Sequence, residues 1–472
     1  MNTIKETAEI RPSSNQLAWQ QMEFYAFIHF SVNTFTDREW GTGAESPEIF
    51  NPTEFNADQW VEVCKSAGMS GLILTCKHHD GFCLWPSLYT EHSVKNSPWR
   101  DGKGDVVKEV SEACKRGKIK FGIYLSPWDR HEKTYGDSKI YNEYFIIQLS
   151  ELLSNYGDIF AVWFDGACGE GLNGKVQVYD WGGYYEIIRR LQPKAVISVC
   201  GPDVRWCGNE AGYCRKFEWS VVPADLLNVE KIQDKSQKVN DREFSKRINS
   251  SDDDLGSREV IKGCEKLLWY PAEVNTSIRT GWFYHAVEDN YLKCIDELLK
   301  VYYGSVGGNA NFLLNIPPDR RGLIHENDAA LLKEFGNTIE KIFQTNLSEG
   351  ATAAASETMD KEHDVSNIFS KDTDKYWCPK EGTEEAVIEI DLKEIKYFDR
   401  ISLMEYINIG QRIEAFRLEY MEDGIWKQFY EGTTIGYKRI CCFDRIHAQY
   451  IRLNIAKSRW CPTISYIGVY CS

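Results

Sequence analysis

The chain has 472 residues, 43% apolar and 26% charged, as expected of a folded soluble protein. Its net charge of −15 excludes nucleic acid and anionic membrane surfaces as partners, and it contains no apolar run long enough to span a bilayer. Aromatic residues reach 13%, with 15 Trp and 25 Tyr; such an excess serves either a large core or a site whose rings lie against the C–H faces of sugars.

The N-terminus, MNTIKETAEIRPSSNQ, is polar and lacks the apolar core of a signal peptide. The chain is therefore expected to stay in the cytoplasm, or to be periplasmic or secreted only if a signal has been removed. Its 15 cysteines are scattered, several in apolar segments (Cys64, Cys76, Cys114, Cys200, Cys294), with Cys441 and Cys442 adjacent. They read as buried free thiols rather than a disulfide framework, which favours a reducing compartment.

Short β-rich runs then alternate with amphipathic, helix-length segments. The runs are YAFIHF (25–30), GLILTC (71–76), FGIYLS (121–126), IFAVWF (159–164), AVISVC (195–200), KLLWYP (266–271) and NFLLNI (311–316). Strands too continuously apolar to have a wet face, separated by helices, predict a parallel sheet covered by helices. Repeated this often, the α/β pattern predicts a (β/α)8 TIM-like barrel over residues 1–346. No G-x-G-x-x-G follows the first strand, and no G-x-S-x-G occurs.

Polar groups capable of chemistry recur where these runs end: His29, then Lys77-His78-His79-Asp80, Trp128-Asp129 and Asp165. The loop after the fifth run adds Asp203, Arg205, Trp206 and Glu210. Barrel enzymes build their sites at the C-terminal ends of their strands. In a strand, Trp163 and Asp165 share a face, which places a carboxylate beside an indole at the barrel mouth. Asp165 could instead cap a helix, but helical sequence resumes only at about Tyr179. A retaining glycosidase needs a second carboxyl about 5–5.5 Å from the first. Asp203, Glu210 and Glu218 are all candidates, Glu210 lying between Gly208 and Gly212 on what reads as a mobile loop. Adjacent histidines on a strand point to opposite sides, and neither His-x-His nor His-Glu-x-x-His occurs, so His78 and His79 suit sugar hydroxyls better than a metal.

After residue 347 the sequence changes. SEGATAAASETMD reads as a linker, followed by the short strands AVIEIDL, FDRISLMEY, AFRLEYME, IWKQFYEG and QYIRLNIA. These predict an all-β sandwich over 347–472. With Lys375-Tyr376-Trp377 and Tyr450-Ile451-Arg452-Leu453, it resembles the galactose-binding-like (discoidin, coagulation factor 5/8 C-type) sandwich. It is expected either to bind sugar through exposed aromatics such as Trp377 or Trp460, or only to cover one flank of the barrel.

FIHFSVNTFTDREWGTG, CKHHDGF, YLSPWDR, VWFDG, WYPAEV, SIRTGWFYH and NFLLNIPPDRRGLI together resemble the α-L-fucosidases of glycoside hydrolase family 29. The likeness is greatest to the subfamily acting on α-1,3- and α-1,4-linked fucose in Lewis-type glycans. The resemblance implies Asp165 as nucleophile, Glu210 as acid/base, and His29, Glu39, Trp40, His78, His79, Tyr124, Trp163 and Trp282 as fucose-binding residues. It implies a fucosylated glycan as substrate, with no metal and no cofactor. It also implies a retaining double displacement, in which the charge of Asp165 keeps Glu210 protonated. Two positions near the pocket wall depart from the pattern: Asn275, where an acidic residue is expected, and Thr280, where proline is. The rival readings are an inactive barrel with a lectin-like sandwich, and a barrel hydrolase of other specificity.

Overall fold

The computed structural model describes residues 4–239, 246 and 253–472. Its main sheet comprises β1 (Phe24–Ile28), β2 (Gly71–Lys77), β3 (Lys120–Leu125), β4 (Ala161–Phe164), β5 (Val196–Val199), β6 (Arg205–Trp206), β7 (Ala272–Ser277) and β8 (Ala310–Asn315). The strands are parallel in the order β5-β4-β3-β2-β1-β8-β7-β6. A bridge between Ser198 and Val204 brings β6 back to β5, so the sheet is a nearly closed TIM-like barrel.

Alternation along β1 shows how the strands are partitioned. Phe24, Ala26 and Ile28 pack outward among the helices, while Tyr25 and Phe27 point inward with Ile73, Tyr124, Trp163 and Leu313. The outer layer includes α1 (Ala57–Ser66), started by Asn56 accepting from the Gln59 N–H, and α2 (Val106–Gly117), started by Asp105 accepting from the Lys108 N–H. It continues with α3 (Ser138–Asn155), α4 (Trp181–Leu191), α5 (Ile295–Ser305) and α6 (Glu326–Phe343).

Two strand expectations are corrected. KLLWYP is not a barrel strand: Leu267–Trp269 pairs antiparallel with Val221–Pro223 in a separate two-stranded ribbon. The barrel strand is the next segment, AEVNTS, whose inward positions carry polar groups that an apolar pattern does not mark. The loop read after the fifth run contains β6, only two residues long, and no helix separates it from β5. Asp203 fixes that short connection. Its carboxylate accepts from the Ile197 N–H at 2.7 Å and from Arg189 at 2.5 and 2.6 Å.

The C-terminal unit is an antiparallel sheet of β9 (Thr352–Ala355), β10 (Ala386–Met404), β11 (Ile413–Glu422), β12 (Ile425–Gly432), β13 (Arg439–Ser458) and β14 (Tyr466–Tyr470). AVIEIDL and FDRISLM, expected as separate strands, are one strand, β10, which bends where its register with β13 breaks between Asp391 and Lys396. The expected linker supplies the edge strand β9. Trp377 is fully buried in the core of this unit, and Trp460 lies beneath Lys5 at 4.1 Å, so neither is the open platform anticipated. All fifteen cysteines are free, but Cys294 is exposed at the start of α5, not buried.

Candidate active site

At the C-terminal mouth of the barrel one pocket is lined by His29, Glu39, Trp40, His78, His79, Tyr124, Trp163, Asp165, Glu210 and Trp282. Phe27, Ala167, Gln237 and Asn275 complete the wall, and the volume is about 430 Å³ with its open mouth. The ten residues to which the family resemblance gives a catalytic or fucose-binding role all line this pocket.

Asp165 follows β4. Its Oδ1 accepts the Ala167 N–H at 2.8 Å, and its Oδ2 accepts the Tyr124 hydroxyl at 2.9 Å. His79 Nε2 lies 3.9 Å from the same Oδ2. Asp165 thus caps a local turn, not a helix; α4 is capped by Asp180 instead.

His78 and His79 do not split between two faces of a strand. β2 ends at Lys77, and both imidazoles turn into the pocket with ring centroids 4.1 Å apart. Lys77 points away from the pocket and is buried against Asp129 at 2.9 Å and Gln148 at 2.8 Å. His79 Nδ1 meets Ser126 Oγ at 2.7 Å, and His29 Nδ1 meets Asn315 Oδ1 at 2.8 Å. Burial lowers His29 to about 3 and His79 to about 4, and drives His78 down as well. All three are neutral at physiological pH and can both donate to and accept from hydroxyls.

Glu210 lies beyond β6, on a loop held by side-chain hydrogen bonds. Asn209 Oδ1 accepts from the Ala211 and Tyr213 N–H groups at 3.1 and 3.0 Å. Glu210 Oε2 accepts the Trp282 indole N–H at 2.9 Å. Its pKa is pushed up to about 8, first by burial and second by the charge of Asp165. The order matters, because the sequence reading credits the charge alone.

The other two carboxyl candidates lie elsewhere. Asp203 is committed to Arg189, and Glu218 is buried in ion pairs with Arg205 at 2.6 Å and Arg215 at 3.4 Å.

Glu39 lines the pocket and also holds the loop after β7. It accepts the Trp282 N–H at 2.8 Å and the Phe283 N–H at 3.2 Å, and lies 2.7 Å from His285 Nε2. Trp40 stands edge-on to His79 and Trp128. Asn275 is in the pocket wall, where its Oδ1 accepts the Trp206 indole N–H at 3.0 Å, whereas Thr280 lines a separate groove with Arg279 and Lys293.

Sequence reasoning misses a buried carboxyl beneath the pocket. Glu273, on β7, accepts from the Trp163 indole at 2.7 Å and from the Tyr25 hydroxyl. Burial raises it to about 7. The alternation Tyr25-Phe27-His29 and Glu273-Asn275-Ser277, each set on one face of its strand, is the signal that could find it.

Residues 10–342 match the family described as Alpha-L-fucosidase, and residues 352–466 match the F5/8 type C domain. The chain is 44% identical to α-L-fucosidase 1 of Arabidopsis thaliana over 97% of its own length and 87% of that protein's. The chain belongs to the α-L-fucosidase family. A solved structure of a Ruminococcus gnavus glycoside hydrolase family 29 fucosidase in complex with fucose superposes with a TM-score of 0.85 at 34% identity, covering 98% of this chain and 95% of that one. A glycoside hydrolase family 29 member from a rumen bacterium gives 0.79 at 40% identity, covering 99% and 78%. The barrel fold, the appended F5/8 type C domain and the glycosidase class expected from sequence are thereby established. As a member of this family the chain is a glycoside hydrolase with a fucose-containing substrate.

Proposed function

We propose that this α-L-fucosidase is a retaining exo-enzyme that removes terminal α-1,3- or α-1,4-linked fucose from branched, Lewis-type glycans by double displacement. The observation that carries the reading is the contrast between two carboxyl groups in one pocket. Asp165 accepts hydrogen bonds from the Tyr124 phenol and the Ala167 backbone N–H, which hold its carboxyl in the pocket. Glu210 is desolvated against Trp282 and holds its proton to about 8. A carboxyl that burial keeps protonated suits a general acid, and the hydrogen-bonded Asp165 in the same pocket suits a nucleophile.

Asp165 would attack C1 as Glu210 delivers its proton to the departing glycosidic oxygen. The fucosyl–Asp165 ester removes one negative charge, so Glu210 becomes able to take a proton from the water that attacks C1 and frees fucose. The neutral His29, His78 and His79 would hold the hydroxyls, with Trp163 and Trp282 against the ring and methyl. The stretch Arg205-Trp206-Cys207-Gly208-Asn209-Glu210 resembles the R-W-x-G-N-E acid/base block of the α-1,3/1,4-acting subfamily, which supports the linkage preference.

The test is Glu210→Gln assayed on fucosylated oligosaccharides of 1,2, 1,3, 1,4 and 1,6 linkage and on activated aryl fucosides. Wild type should cleave the 1,3 and 1,4 linkages. The variant should lose about 10²–10⁴-fold on those glycans and far less on the aryl fucosides. Equal losses on both would reduce Glu210 to a binding residue.

A further inference from the structure

The loop that presents Glu210 does not end in the barrel. It runs from β6 through Glu218 to Ser220, and its distal half is held from the C-terminal sandwich. Gln411 Oε1 accepts the Ser220 N–H at 2.8 Å, and Arg439 donates to the Lys216 carbonyl at 3.2 Å. The Arg459 guanidinium stacks on Trp219 at 4.4 Å. Gln411 and Arg459 are fully buried and Arg439 nearly so.

Asn309, just before β8, ties the two units together. Its Nδ2 donates to the Glu218 carbonyl at 2.8 Å, and its Oδ1 accepts the Tyr437 N–H of the sandwich at 2.8 Å. The approach is so close that a Cβ on Gly436, at φ 63°, would fall 2.2–2.5 Å from the Asn309 amide. From this grip the contacts lead back to the acid. Glu218 pairs with Arg205 of β6 and with Arg215, and Arg215 donates to the Cys207 carbonyl at 2.8 Å, three residues before Glu210.

We propose that the sandwich is a positioning element for the general acid, with Gln411 and the Tyr437–Asn309 contact fixing the loop that aims Glu210 at the leaving oxygen. This rests on the reading of Glu210 as acid. It assigns the appended domain a role in the chemical step itself, separate from any binding of glycan. Displacing an acid by a fraction of an ångström penalises proton delivery and leaves fucose binding unchanged, since the fucose contacts come from other strands.

The experiment compares full-length Gln411→Asn, which withdraws the acceptor by one methylene, and Gly436→Ala, which presses on Asn309, with Ile425→Ala on an exposed strand and with Glu210→Gln. Each is assayed for kcat/KM on aryl fucosides of graded leaving-group acidity and for inhibition by fucose. Gln411→Asn and Gly436→Ala are expected to lose about tenfold on the poorest leaving group and less than about twofold on the best. Fucose inhibition should be unchanged, and Ile425→Ala should match wild type. Folded variants with equal losses on every leaving group, or with none, overturn the proposal while a steep slope for Glu210→Gln preserves the acid assignment. A flat slope for Glu210→Gln overturns both. Unfolding of both sandwich variants would show the domain holding up the whole barrel instead, and also overturns the proposal.

Discussion

The Trp282 indole N–H donates to Glu210 Oε2 at 2.9 Å, so the tryptophan expected beside the sugar's methyl also touches the proposed acid. This bond favours the carboxylate and opposes the burial that raises Glu210 to about 8. Trp282→Phe keeps a ring in the wall and removes the donor. Glu210 should then hold its proton to still higher pH, moving the alkaline limb of kcat/KM upward from about 8. A pH profile on a natural oligosaccharide checks this; a limb that stays in place or moves down would show that Trp282 does not tune the acid.

Asp165 is offered to the pocket by Tyr124 and the Ala167 N–H, with no salt bridge to an Arg or Lys among the described residues. Asp165→Ala should lower turnover by about 10³-fold or more while leaving thermal unfolding near that of wild type. Azide admitted to the vacated side should give the inverted, β-linked fucosyl azide, identified by its proton coupling in NMR. Recovery of the α-linked azide from this variant would mean that the nucleophile lies elsewhere.

The strand-end residues were legible in the sequence because a parallel barrel puts every C-terminal strand end at one mouth, so local order predicts spatial gathering. Asp165 and His29 follow from that rule alone. β6 and β7 were not legible. Arg205-Trp206 is too short to carry a period, and AEVNTS turns Glu273 and Asn275 inward where an apolar pattern is expected. KLLWYP mimics a barrel strand because its apolar side chains cover the junction with the sandwich, packing Trp269 near Ile407. Spacing and composition alone do not choose among Asp203, Glu210 and Glu218; the family resemblance implies Glu210, and the partners Arg189, Trp282 and Arg205 tell the three carboxyls apart in space.

Trp377 fills the core of the sandwich, and its indole N–H donates to the Glu357 carbonyl at 3.1 Å. Trp377→Ala should therefore cost about 3–5 kcal/mol of that domain's stability. Glycan affinity, if the domain has any, should be lost only in proportion to unfolding. Denaturant titration beside glycan-array binding separates the two; loss of binding in a domain of unchanged stability would restore Trp377 as a ligand contact.

Buried titrating groups beneath and around the pocket fix how stability depends on pH. His29 and His79, lowered to about 3 and about 4, are neutral in the fold and protonated in the unfolded chain below about 6.5. Their contribution is present above pH 6.5 and lost as the pH falls toward 4. Glu210 and Glu273, raised to about 8 and about 7, act in the opposite sense. The fold keeps protons that the unfolded chain releases above about 4.5, so stability declines as the pH rises from there through 7 and 8. The two sets oppose each other between 4.5 and 6.5, and only the carboxyls act above that window. Glu273→Gln stays neutral at every pH and still offers an acceptor to Trp163. It removes one source of the alkaline decline, on the order of 3 kcal/mol for a buried carboxyl shifted this far. The variant should be less stable than wild type at pH 5, where Glu273 is already protonated and the substitution only disturbs the Tyr25–Glu273–Trp163 chain. By pH 8 the gap in melting temperature should narrow or reverse. Thermal unfolding followed by circular dichroism at half-unit intervals gives that gap directly; a gap constant from pH 5 to 8 would mean that Glu273 does not change its protonation in the folded protein over that range.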